Sequence, residues 1–180
     1  MLKFGRTELS FLGHRLSAAG VSPDPRKVQS IVEWPTPTSC TEVRRFTGLA
    51  NYYRRFIDGY AELAAPLTTL ASPSATFVWS SAAQTSFDAL KQALVSAPVL
   101  RTFDPTRRCV LTTDASGLAV AAILTQPDDA GRLDPMAFES RKLTATERAY
   151  PAPLELLAVV HCGCFGTTFW AAMHHAPKDV

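Results

Sequence analysis

Several of the residue types that would classify a chain quickly are scarce here. Cysteine is rare: Cys40, Cys109, Cys162 and Cys164 are irregularly spaced and follow no signal-peptide pattern. That excludes a disulfide scaffold and reads as an intracellular chain with reduced thiols. Net charge is nearly absent at +2, so the whole is neither a polybasic arm nor an acidic tail. Its distribution is uneven, with 11 basic and 7 acidic side chains in residues 1–101 against 7 and 9 in residues 102–180. A basic front beside an acidic back suits a polyanion-binding segment joined to a carboxylate site. Long apolar runs are missing too. The stretch from Leu156 to Pro177 has no Asp, Glu, Lys or Arg and is long enough to span a bilayer, but His161, Gly163, Gly166, His174 and His175 interrupt it. No membrane span is expected. What remains is a 180-residue chain, 47% hydrophobic, which is enough for one ordinary domain or two small ones.

Local signals divide it. Leu9 to Leu12 reads as a short strand, and Ser22-Pro23-Asp24-Pro25 ends one element and opens a helix, with Asp24 as its cap and Pro25 at its first position. Trp34-Pro35-Thr36-Pro37 stops that helix. Ser39-x-x-Glu42 reads as a capping box before an amphipathic helix whose apolar face is Val43, Phe46, Leu49, Ala50 and Tyr53. Ala61 to Leu70 predicts a further helix, and Ser81-x-x-Gln84 opens another with Phe87, Leu90 and Leu94 inward. Pro98 to Pro105 reads as a linker. Beyond it the period changes to that of strands: Cys109 to Thr113, Ala119 to Leu124 and Pro135 to Glu139. Thr144-x-x-Glu147 starts a turn of helix, and Leu154 to Val160 begins a last one.

Within these elements, Phe11-Leu12-Gly13-His14, Gly20-Val21, Asp24-Pro25 and Trp34-Pro35 resemble the region after the palm in gypsy-class LTR retrotransposon Pol polyproteins. Glu42-Val43-Arg44-Arg45-Phe46-Thr47-Gly48-Leu49-Ala50-Asn51-Tyr52-Tyr53-Arg54-Arg55-Phe56-Ile57 and Ala64-Ala65-Pro66-Leu67-Thr68 are similar to that family's thumb and connection. Thr113-Asp114-Ala115-Ser116, Ser140-Arg141-Lys142-Leu143-Thr144 and Glu155-Leu156-Leu157-Ala158-Val159-Val160 resemble its RNase H domain. The resemblance implies an α+β chain. It divides into a helical thumb/connection segment over residues 1–100, the N-terminal half of an RNase H-like mixed β-sheet with a helix over 101–161, and a non-homologous tail over 162–180.

Arg44, Arg45, Arg54 and Arg55 are the candidate nucleic-acid-binding residues. Positions 44 and 55 return almost to one helix face, so an unbroken helix would carry a basic stripe fitted to the phosphates of an RNA/DNA hybrid or template–primer duplex. The alternative is a solvated surface with the arginines paired to Glu42, Asp58 or Glu62. Tyr52 and Tyr53 are assigned to the core. No obligate protein partner is read from the sequence.

The resemblance implies RNA-directed DNA polymerase and hydrolysis of RNA in RNA/DNA hybrids as ancestral activities, both dependent on magnesium (Mg2+) held by clustered carboxylates. The polymerase Tyr-x-Asp-Asp turn is absent, and Asp128-Asp129 after Gln126-Pro127 reads as turn chemistry. Asp114 and Glu155 match the family's first two hydrolytic metal ligands, which makes them the candidate catalytic and metal-binding residues. The alternatives are a turn-forming aspartate before Ser116-Gly117 and an acid favoured at a helix N-terminus. The later carboxylates have no counterpart, and Tyr150-Pro151-Ala152-Pro153-Leu154-Glu155 is one residue shorter than the family spacing. The chain by itself is therefore expected to be inactive, with a non-catalytic nucleic-acid-binding remnant or a decayed product as the alternative.

The tail departs from the family after His161. If each codon begins with the last nucleotide of the one before, His161 into Cys162 must give Leu, Phe169 into Trp170 must give Leu and Trp170 into Ala171 must give Gly. The shifted frame can spell Leu-Arg-Val-Phe-Arg-His-Tyr-Leu-Leu-Gly, close to the family's helix, so a frame change at His161 is expected. Cys162, Cys164, His174 and His175 are too loosely spaced for a zinc site to be read from them.

Overall fold

The computed structural model describes residues 7–72, 76–149 and 154–161. The chain opens with an antiparallel sheet of three short strands, β1 (Glu8–Phe11), β2 (His14–Ser17) and β3 (Gly20–Pro23), in that order. β1 and β2 are joined by Leu12 and Gly13, both with positive φ (47° and 74°), the handedness that two-residue hairpin turns need to match strand twist. The single strand expected at Leu9 to Leu12 thus turns one residue early. Helix α1 (Pro25–Val32) starts where the Asp-Pro signal puts it, with the Asp24 carboxylate accepting from the Arg26 amide at 3.0 Å.

Helix α2 (Cys40–Tyr52) is capped by Ser39, whose hydroxyl accepts from the Glu42 amide. The capping box is only half made, because the Glu42 carboxylate takes the Thr38 amide and hydroxyl instead, at 2.7 and 3.0 Å. The helix expected from Ala61 to Leu70 is two, α3 (Tyr60–Leu63) and α4 (Ala65–Leu70), since Pro66 has no N–H to return to the preceding turn. Helix α5 (Ser81–Val95) is capped one residue before the expected position. Ser80 accepts from the Ala83 amide, while the Gln84 side chain accepts from the Trp79 indole at 2.8 Å. Phe46 and Phe87 meet at the centre of this helical module with ring centroids 4.5 Å apart, and Phe87, Leu90 and Leu94 face inward as their spacing predicts.

The segment expected as a linker is tied down. Val21 and Leu100 exchange both backbone hydrogen bonds, at 2.7 and 2.8 Å, and Leu100 is buried in the helical core. Gly20 makes this possible, because a Cβ there would stand 2.1 Å from the Leu100 carbonyl oxygen. A second sheet follows, β4 (Val110–Ala115), β5 (Ala119–Pro127) and β6 (Leu133–Lys142), antiparallel throughout as its short turns dictate. Asp128 shapes the β5–β6 turn, accepting from the Ala130 and Arg132 amides at 2.8 Å, and Asp129 pairs with Arg107. Asp128 does the turn chemistry its context suggests, and Asp129 makes an exposed ion pair instead.

Helix α6 (Ala145–Arg148) carries the complete Thr144/Glu147 capping box, and α7 spans residues 154–161. The second sheet has two covered faces. On one, Ala115 and Val120 pack with Leu143 and with Ala158 of α7. On the other, Phe138 packs on the helical core and the Ala61 amide, at the start of α3, donates to Ser140 Oγ at 2.9 Å. Residues 162–180, the tail after the expected frame change, lie outside the described residues, as do 150–153. Among the described residues no helix is long and apolar enough to cross a membrane.

Candidate functional site

The basic stripe expected on one helix is broken. Helix α2 ends at Tyr52, Tyr53 takes φ −99° and ψ 10°, and Arg54–Phe56 forms a 3-10 turn. Turning at about 120° rather than 100° per residue, that turn cannot continue the face begun by Arg44 and Arg45. The break serves packing, since it lets Tyr53, Phe56 and Ile57 all reach the core. Arg44 is spent on structure, its Nε donating to the Ala71 carbonyl at 2.7 Å. Arg45 and Arg54 are exposed, as are parts of Arg44 and Arg55. Arg55 lies over the Phe56 ring, 5.7 Å from its centroid, and partial burial pulls its pKa down. Among the described residues none of the four arginines forms a salt bridge. Glu42 feels the charge of Arg45 only after its stronger hydrogen bonds from Thr38, and together these hold its carboxyl below the usual range. Tyr53 is 1% exposed, as expected for a core residue. Tyr52 is not in the core: it is half exposed, and its hydroxyl donates to the Leu12 carbonyl.

Asp114 stands near the end of β4, exposed, with Oδ1 accepting from the Ala115 amide at 2.9 Å. Strand alternation decides where it points. Ala115 belongs to the α7 face, so Asp114, paired in register with Ala121, turns to the face that meets α3. There it lines a cavity of about 320 Å³ between the sheet and α3, with Asp58 and Glu62 on the other wall and Leu63, Ala121 and Ile123 as apolar lining. Glu155 is exposed in the first turn of α7, which covers the opposite face. The structure thus brings Asp114 to Asp58 and Glu62, which no local sequence signal singles out, and sets it on a different face from the helix that carries Glu155. Among the described residues no three His, Cys, Asp or Glu side chains are grouped to hold a metal ion. The described donors alone do not fit an octahedral Mg2+ site.

With that geometry in place, residues 79–165 match the RNase H-like domain found in reverse transcriptase. Residues 79–165 are an RNase H-like domain of reverse transcriptase. Over 86% of its length the chain is 40% identical to the retrovirus-related Pol polyprotein from transposon opus of Drosophila melanogaster, covering 16% of it. Over 88% it is 32% identical to the Transposon Tf2-3 polyprotein of Schizosaccharomyces pombe, covering 12% of that protein. The chain therefore spans well under a fifth of either polyprotein. Among solved structures, the foamy viral protease-reverse transcriptase in complex with dsDNA shares the fold at a TM-score of 0.75, with 25% identity over 93% of this chain and 35% of that one. The same enzyme in complex with RNA/DNA hybrid aligns at 0.73, with 23% identity over 91% of this chain and 22% of that one. Both likenesses run through the helical module as well as the RNase H-like domain. The match also begins at Trp79, so it includes α5, which packs within the helical core.

Proposed function

We propose that this chain is the thumb, connection and RNase H-like portion of a retrotransposon reverse transcriptase, and that its contribution is to hold a template–primer duplex or RNA/DNA hybrid. The observation that carries the reading is the shared fold across both halves with a reverse transcriptase solved on duplex nucleic acid. The exposed Arg45 and Arg54 supply cations for phosphate contacts that are independent of sequence. The test is fluorescence anisotropy of a labelled RNA/DNA hybrid across a salt series. Affinity should fall linearly on a log–log plot, and Arg45→Ala with Arg54→Ala should lower the slope by about one per lost phosphate contact. Binding indifferent to salt and to both substitutions would sink the reading.

Hydrolysis is the second reading, favoured by the family match and by an exposed carboxylate at the end of β4. In it Asp114 and Glu155 are catalytic metal ligands, which requires one ion to be reached both from the α3 face that Asp114 occupies and from α7 on the opposite face. Cleavage of a hybrid that requires Mg2+ and disappears in both Asp114→Asn and Glu155→Gln supports it. Salt-sensitive binding without cleavage leaves the duplex-holding role alone.

A further inference from the structure

The tip of the β1–β2 hairpin is held in an unfavourable conformation by an unusual number of side chains. Leu12 has φ +47°, a region that bulky residues avoid, and it is 71% exposed, so burial of its own side chain does not compensate. Hydrogen bonds hold the turn instead. The Leu12 carbonyl accepts from the Tyr52 hydroxyl and from His14 Nδ1 at 3.0 Å. The Gly13 carbonyl accepts from the Tyr53 hydroxyl and the Asp24 amide, both at 2.9 Å. Tyr52, Tyr53 and Phe56 enclose the His14 ring, with centroids 5.2, 5.7 and 5.6 Å away.

This cage is selective for one protonation state. A carbonyl can only accept, so Nδ1 carries the ring proton, and in the neutral imidazole Nε2 is a bare lone pair. Among the described residues Nε2 is buried without a hydrogen-bond partner. Protonation would place a charged N–H where no acceptor stands, within reach of the like charge of Arg55. The other charged groups around the cage offer no relief: Asp24, which faces Tyr53, is held by Arg26, and Arg15 on β2 is held by Glu8. Burial accordingly pulls His14 below the ordinary histidine value, with Arg55 adding to it and the Leu12 hydrogen bond opposing.

We propose that His14, Tyr52 and Tyr53 form a clamp that fixes the Leu12–Gly13 turn only while the imidazole is neutral, so that protonation of His14 releases the hairpin tip from the end of α2. Because the folded-state value is lowered, the clamp is complete above the ordinary histidine value and weakens as pH falls below it.

The test uses the full chain labelled with 15N and 13C, followed by NMR from about pH 8 to about pH 5, the range in which histidine changes charge. The His14 ring should titrate below about 6.5, and protection of the Asp24 amide, which donates to the Gly13 carbonyl, should start to fall near about 6.5 and level off at the ring's midpoint, ~10-fold for each pH unit by which that midpoint is lowered. Amide protection in His14→Gln should not follow pH over this range. A ring titrating at or above the ordinary value, or an Asp24 amide that stays protected while it titrates, overturns the proposal. Should His14→Gln not fold, whether amide protection in the native chain levels off at the ring's midpoint decides the matter. Tyr52→Phe removes one of the two donors to Leu12, so release should move to higher pH, and an unmoved midpoint counts against a shared clamp.

Discussion

The helical module and the second sheet bury their apolar side chains in different ways. In the module Phe46, Tyr53, Phe56, Phe87 and Leu90 belong to one continuous cluster, which Leu100 also enters. The sheet divides its own between a group around Phe103, Leu124 and Met136 and another around Val120, Leu143 and Ala158. Three strands with a split core are near the lower limit for independent stability. The sheet therefore leans on the module through Phe138 and Ser140. The boundary read from sequence near residue 100 marks a change of secondary structure and is crossed by packing.

The largest test of this asymmetry is Phe46→Ala. Losing a fully buried ring at the module's centre should cost ~3–5 kcal/mol and unfold sheet and module together. Denaturant unfolding monitored by tryptophan fluorescence for the module and by sheet amide exchange should give one midpoint. A sheet that survives the module would break the comparison. Met136→Ala, in the smaller cluster, should cost only about 2 kcal/mol, the lower end for such truncations. Between them lies Gly20→Ala, where the new Cβ meets the Leu100 carbonyl at φ +133°, at about 2–4 kcal/mol for strain and crowding combined. Its signature should be loss of protection at Val21 and Leu100 together, since each bonds the other.

Which parts were legible in the sequence follows the same division between local and tertiary causes. Asp24-Pro25, the Ser39 hydroxyl and the Thr144/Glu147 box act within a few residues, and they are found where local chemistry puts them. Phe87, Leu90 and Leu94 are legible by period. β2 and β3 are not, because His14–Ser17 and Gly20–Pro23 carry little apolar alternation and are fixed by the turn and by Leu100. The end of α2 at Tyr52 has no glycine or proline to announce it; only the packing of Tyr53 and Phe56 explains it. Asp114 was visible as a strand-end carboxylate, but the face it occupies and its neighbours Asp58 and Glu62 depend on α3 docking against Ser140.

That docking contact gives a smaller prediction. Ser140→Ala leaves the Ala61 amide, one of the first-turn donors of α3, without its acceptor, at a cost of about 1 kcal/mol. Amide exchange at Ala61 should quicken while α5 is untouched. If α5 loosens equally, the contact supports the module as well as the sheet, and the leaning runs both ways.

The smallest effect concerns α6, which buries no residue and hangs on its cap. Glu147 accepts from the two terminal guanidinium nitrogens of Arg141, Nη1 and Nη2, at 2.8 and 2.9 Å, and from the Thr144 amide at 2.8 Å. Arg141 first, then Thr144, holds its carboxyl at about 2. A depressed acid contributes stability that is whole above its unfolded value, about 4.3, and is lost as pH falls through the folded one. Protection of the Glu147 and Arg148 amides should therefore decline only as pH drops from about 4 toward about 2, in step with the Glu147 carboxyl carbon. Asp24, Asp104 and Asp128 titrate low as well, so the site-specific carbon signal is needed to assign the change. Arg141→Gln should raise the Glu147 midpoint toward the ordinary value and loosen α6 at milder acidity while leaving the sheet intact. Loss of sheet protection at that pH would mean that the cap of this short helix supports the Val120 and Leu143 cluster, and that the sheet's second core is larger than its buried side chains indicate.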